Sequence, residues 1–203
     1  MVNYKNDKHT VIGFFDNPDF KTISLMHSLE SYIGSVRFFI VWDDSNAGEK
    51  FDVSQFQQVT VIDKQDLIEA CSRLFSINVE QIKETAEGFK LVYKVLLAIY
   101  CRKILGIDYC IMTDNDIFIY EKITEIEQLS TSKQPFLIQE PNDAYRIPDI
   151  SDLIQRFLNR SDVSPIPSKG KGYNVGFCGM DLTMFDAFEG DAFSDLLVLF
   201  SKL

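Results

Sequence analysis

The sequence has no run of about 18 apolar residues, and its amino terminus lacks the layout of a signal peptide, so neither a membrane span nor export is expected. Paired cysteines are missing too. Cys71, Cys101, Cys110 and Cys178 show neither CxxC nor metal-ligand spacing, and most fall in apolar segments, where reduced core thiols belong. A reducing, cytoplasmic setting is therefore expected. Basic residues are scarce, 20 against 30 acidic ones, and the formal charge of −10 excludes the broad basic surface that nucleic acid needs. It does not exclude a small anionic ligand, because a metal ion and two or three lysines reverse the sign locally. No internal repeat or low-complexity segment is present. Histidines are limited to His9, read as a solvated terminal residue, and His27, a polar position on a helix.

What is there suffices for a globular protein: 203 residues, 46% of them hydrophobic, are expected to form a single domain over residues 1–203. Two features of the end bear on its extent. Ser201-Lys202-Leu203 has the form of a peroxisomal address, a tripeptide short enough to arise by chance or by truncation, and the apolar helical pattern Leu196–Phe200 leads to the expectation that the domain is excised from a longer chain.

Apolar spacing gives the order of elements. Val11–Phe15 reads as a buried strand, and Asn17-Pro18 opens a helix on Ile23, Met26, Leu29, Tyr32 and Ile33, closed by Gly34. Val36–Trp42 is a second strand that runs into Asp43-Asp44, and Val59–Ile62 is a third. Helices follow on Leu67–Phe75, after the Asn78/Gln81 capping pattern, and on Phe89–Leu105, where Lys90 and Lys94 share a face at i, i+4 spacing and Gly106 ends the helix. A short helix on Ile123, Ile126 and Leu129 and a strand at Phe136–Ile138 come next. Then follow a polar segment, a helix on Leu153–Leu158, and a Gly/Pro loop carrying Lys169 and Lys171 that is expected to move. Tyr173–Met180 is a last strand, in which Gly176 and Gly179 leave room for a ligand or another backbone. Alternating strands and helices predict a three-layer α/β/α sandwich with a mostly parallel central sheet, whose ligands sit beyond the carboxyl ends of the strands.

The chain is organised around Asp108–Tyr120, DYCIMTDNDIFIY. Tyr109–Met112 suits a strand buried on both faces that empties into Asp114-Asn115-Asp116, and Ile117–Tyr120 holds the triplet from the other side. Two fixed carboxylates at a strand end suit a hard divalent cation, Mn²⁺ or Mg²⁺, that keeps open positions for phosphate oxygens. Chemistry with a phosphate leaving group needs that cation, a nearby lysine, and a seat for base and sugar.

Asp43-Asp44 after strand two, Lys94 on the helix before the central strand, the TDND turn and YNVGFCG downstream together resemble a glycosyltransferase of the GT-A fold, from Val11 to Asp181. The resemblance implies a nucleotide-diphosphate sugar as donor and a glycan or other hydroxyl compound as acceptor. It makes Asp116 the main metal ligand and Asp114 a ligand to metal or to a ribose hydroxyl. Asp43 or Asp44 would contact nucleobase or ribose, Lys94 and then Lys90 the donor phosphate, and Asn174 and Gly176 the sugar or acceptor.

Glycogenin-like enzymes carry a late histidine on the metal, which this sequence lacks; Asp181, water or donor oxygens are the substitutes considered. An inverting enzyme needs a general base, for which Asp143, Asp149 and Asp152, with Glu140, are candidates that spacing does not separate. TDNDIF also resembles the signature of haloacid-dehalogenase phosphotransferases, with Asp114 as nucleophile and Asp116 as acid/base, although that family places it on the first strand. A non-catalytic carbohydrate- or nucleotide-binding domain is the remaining alternative.

Overall fold

In the computed structural model, the described residues are 9–16, 20–33, 36–43, 56, 58–114, 117–122, 124–139 and 173–201. Six strands form one sheet in the order β3-β2-β1-β4-β6-β5. They are β1 (His9–Asp16), β2 (Val36–Asp43), β3 (Val59–Ile62), β4 (Tyr109–Thr113), β5 (Phe136–Gln139) and β6 (Tyr173–Asp181). β3, β2, β1 and β4 run parallel, β6 is antiparallel to β4, and β5 is antiparallel to β6 and so parallel to the rest. The mostly parallel sandwich expected from the sequence is the architecture found.

Period-two alternation along the strands divides the core into two layers. Ile12, Phe14, Phe39, Val41, Cys110, Met112 and Cys178 face one side, against α2 (Lys64–Phe75), α3 (Val79–Gly88), α4 (Leu91–Lys103) and α6 (Gly190–Phe200). Val11, Phe15, Phe38, Ile40, Ile111 and Phe177 face the other, against α1 (Phe20–Ile33) and α5 (Thr124–Thr131). Each large side chain fully buried in these layers, Tyr93, Phe38 and Phe39 among them, contributes about 1.5–3 kcal/mol.

Local chemistry sets the element ends. Asp63 caps α2 by accepting from the amides of Gln65 and Asp66 at 2.7 and 3.2 Å. Asn78 caps α3 through the Glu80 amide at 2.8 Å; among the described residues Gln81 returns no bond, so the capping box is half formed. Gly106, at φ +70, takes the left-handed conformation that lets the chain leave α4 for β4. Of the α2 face, Leu67, Ile68, Cys71 and Phe75 are buried, whereas Leu74 is exposed. Ile117–Tyr120 forms no strand: Ile119 is buried and its amide bonds Ser28 Oγ at 3.3 Å, while Phe118 and Tyr120 are exposed.

Gly179 leaves room for neighbours rather than for a ligand. A Cβ there would lie 2.0 Å from Tyr109 Oη and 2.4 Å from the Phe136 ring. The Tyr109 hydroxyl crosses the strand at this point to donate to the Gln134 carbonyl at 2.9 Å. His9 is not a solvated terminal residue either. It is partly buried at the start of β1, with Nδ1 2.6 Å from Ser130 Oγ, and burial lowers its pKa against the raising effect of Glu127. His27 is exposed on α1, its ring 5.1 Å from that of Phe56. All four cysteines are free and buried. No helix among the described residues is long and apolar enough to cross a membrane.

Candidate functional site

Three parallel strands end in aspartate at one rim of the sheet. β1 ends at Asp16, β2 at Asp43, in direct register with it, and β4 passes from Thr113 into Asp114. Asp16 escaped the motif search, although its signal, an apolar strand emptying into a carboxylate, is the one that picks out Asp43 and Asp114. The rim also receives the amino ends of α2 and α4 and the start of the reversed strand β6, which brings Asn174 and Gly176 to the same side. Side chains of Asp16, Asp43 and Asn174 lie outside the described residues; their backbones are placed as stated.

Asp114 is held at two points. Its amide donates to the Gly176 carbonyl at 2.7 Å, extending the β4–β6 pairing by one step, and its Oδ1 accepts from the Lys94 ammonium. Lys94 projects from the first turns of α4 and is only 6% exposed, whereas the Asp114 side chain is 41% exposed. A buried cation thus stands behind a carboxylate that faces outward. A buried lysine is costly without an anion beside it, so the pair fixes the direction of both side chains. Cys178, on β6, lies within reach of both charges. Burial pushes its thiol up, the charge of Lys94 pulls it down and that of Asp114 adds to the rise, leaving a protonated thiol rather than a soft metal ligand.

Lys90, one helical turn before Lys94, takes a different path. It is exposed, precedes α4, and places Nζ 6.0 Å from the Phe14 ring centre. Phe14 stacks on Tyr93, with centroids 4.8 Å apart and planes 8° from parallel, and Lys64 Nζ lies 5.6 Å from the Tyr93 centroid. Glu87 ties this group together: its Oε1 accepts from the Tyr93 hydroxyl at 2.7 Å and from Lys64 at 3.2 Å. Lys64, Glu87 and Tyr93 carry no motif that sequence reading recognises. They meet only because α2 starts immediately beyond β3 and α3 ends immediately before α4.

Asp181 does not belong to the site. Because β6 is antiparallel, its carboxyl end pairs Asp181 with Tyr109 at the start of β4, about 17 Å of strand away from Asp114. There Asp181 caps the 3₁₀ turn Leu182–Phe185, accepting from the Thr183 amide at 2.9 Å and its hydroxyl at 2.7 Å, bonds that lower its pKa. At the same far rim, Arg102 pairs with Asp108 and, through Nε and Nη2 at 2.6 Å each, with Asp186, joining α4 to the strand it precedes.

Asp44, Asn115, Asp116, Glu140, Asp143, Asp149, Asp152, Lys169 and Lys171 lie outside the described residues. Among the described residues no cluster of three His, Cys, Asp or Glu side chains is arranged to hold a metal ion. Asp114 is thus the described carboxylate of the expected metal pair.

No family profile matches the sequence, and no curated protein matches it. The fold does have solved counterparts. The apo crystal structure of mouse xyloside xylosyltransferase 1 superposes with a TM-score of 0.51 at 14% identity, over 97% of this chain and 74% of that one. A galactosyltransferase, LgtC, in complex with donor and acceptor sugar analogues gives a TM-score of 0.48 at 12% identity, over 93% of this chain and 63% of that one. At these identities the likeness is one of fold.

Proposed function

We propose that the protein transfers a glycosyl group from a nucleoside-diphosphate sugar to a hydroxyl acceptor, with a divalent cation held at Asp114 and Asp116. The observation that carries the reading is the buried Lys94 set against the outward-facing Asp114 where the central strand meets the rim, in a fold shared with a xylosyltransferase. A haloacid-dehalogenase phosphotransferase would need the acidic signature on its first strand, whereas Asp114 follows the fourth.

The donor set fits a hard cation such as Mn²⁺ or Mg²⁺. Its groups are carboxylate oxygens, the nearby thiol is protonated, and a low protein ligand count suits an ion that completes its sphere with water and phosphate oxygens. When bound, the cation neutralises charge that develops on the departing diphosphate. Lys94 and Lys90, joined by Lys64, supply positive charge on the α4 side of the rim. Asp43 or Asp44 contacts nucleobase or ribose, and Asn174 with Gly176 borders the sugar or acceptor. In an inverting reaction Asp143, Asp149 or Asp152 takes the acceptor proton.

Thermal unfolding tests the reading. UDP or GDP should raise the melting temperature in Mn²⁺ but not in EDTA, and Asp116→Ala should abolish the rise. A rise that ignores both metal and Asp116 would sink the mechanism. Hydrolysis of a panel of nucleotide sugars then identifies the donor.

A further inference from the structure

We infer that Lys94 couples metal binding to diphosphate binding by exchanging one anion for another, an inference that rests on the function proposed above. Asp114 is a proposed cation ligand, yet its Oδ1 is already engaged by the Lys94 ammonium. Lys94 is only 6% exposed, which leaves its side chain little solvent, whereas the Asp114 side chain, 41% exposed, is open to it. A divalent cation on Asp114 would put two positive groups on one carboxylate, so a cation alone competes with Lys94. A diphosphate reaching the rim supplies the anion that Lys94 then lacks. A diphosphate alone has the reverse difficulty, because Lys94 is already neutralised by Asp114. Each ligand therefore binds weakly by itself and releases the group that the other needs.

The Asp114 amide is fixed to the Gly176 carbonyl at 2.7 Å, which holds the backbone of Asp114 in place while the partner of its side chain changes. Lys90 and Lys64 stand beside the Phe14–Tyr93 stack, 6.0 and 5.6 Å from the ring centres. By linkage, the factor by which UDP tightens Mn²⁺ must equal the factor by which Mn²⁺ tightens UDP.

Titration calorimetry of the whole chain with Mn²⁺ alone, UDP or GDP alone, and both together tests this, with metal–nucleotide association in solution measured separately. In the native protein the mutual factor should be about tenfold or more. In Lys94→Met, Mn²⁺ alone should bind more tightly than to the native chain, the nucleotide alone more weakly, and the mutual factor should fall at least about threefold. Lys94→Arg, which keeps the charge, should retain most of the coupling. Asp114→Asn gives the reciprocal reading should Lys94→Met fail to fold: nucleotide alone should bind more tightly than to the native chain, because Lys94 has lost its resident anion. If the native chain binds metal and nucleotide but Lys94→Met keeps the full factor, or Asp114→Asn binds nucleotide no better, the exchange is wrong and the proposed function stands. If the native chain binds neither, both fall together.

Discussion

The Tyr93 hydroxyl donates to Glu87 Oε1 at 2.7 Å, and it is the one polar atom of a side chain that is otherwise completely buried. This bond ties the end of α3 to the first turn of α4, the helix that carries Lys94. Tyr93→Phe should cost about 1 kcal/mol, the usual net value of one hydrogen bond, whereas Tyr93→Ala should cost about 3–5 kcal/mol by opening a cavity beside Phe14. Denaturant unfolding of the two variants separates the bond from the packing.

Removing the Asp114 carboxylate leaves a buried ammonium alone. Asp114→Ala should destabilise the metal-free protein by about 1–3 kcal/mol, less than for a fully buried pair because the Asp114 side chain is 41% exposed. Adding Lys94→Met to that variant should recover most of the loss, since the unpaired charge is then gone as well. A double-mutant cycle in denaturant measures both effects.

Acid should act through His9. Burial lowers its pKa below the usual 6.5, so the folded state takes up the His9 proton less readily than the unfolded chain. The unfolded state then binds more protons as pH falls through 6.5, and stability contributed by neutral His9 is present above that pH and lost below it. Glu127 opposes the effect but is itself paired to Lys122 at 2.7 Å, and Ser130 keeps its bond to His9 Nδ1. Unfolding free energy measured from pH 7.5 to 5 should fall more steeply in the native protein than in His9→Gln.

Two glycines should respond in opposite directions. Gly179→Ala would push a methyl group into Tyr109 Oη and the Phe136 ring, with an expected cost of about 1–3 kcal/mol or more. Gly88→Ala, at the end of α3 where an added Cβ meets nothing within 4 Å, should be neutral or stabilise by up to about 1 kcal/mol. Melting temperatures of the two variants provide the check.

The thiols should be silent in the native state. Burial pushes Cys71 up to about 12 and also raises Cys101 and Cys110, so a thiol reagent near neutral pH should label them only as fast as the protein opens. Under denaturing conditions all four cysteines should react at once.

The strands were legible because their signals are local. Val59–Ile62 is found at the predicted bounds, and Tyr109–Thr113 differs by one residue, since a short apolar run bounded by polar residues has few other ways to be buried. Strand direction was not legible. Composition is the same whichever way a strand runs, so the reversed β6, and with it the displacement of Asp181, could come only from tertiary pairing. The shared helix face of Lys90 and Lys94 follows from their spacing, but one turn decides whether a side chain stands beside the Phe14 ring or pairs with Asp114. Lys64, Glu87 and Tyr93 come from three helices, and no spacing rule joins them.

The reversal of β6 has a further consequence for how such a protein can diversify. β5 ends at Gln139 and β6 begins at Tyr173, paired with each other at the rim, so the chain leaves the sheet and rejoins it beside the proposed site. Doubling the length of a connection closed at both ends adds only about 0.6 kcal/mol of closure cost. A change of length between Gln139 and Tyr173 that keeps this pairing therefore adds little closure cost.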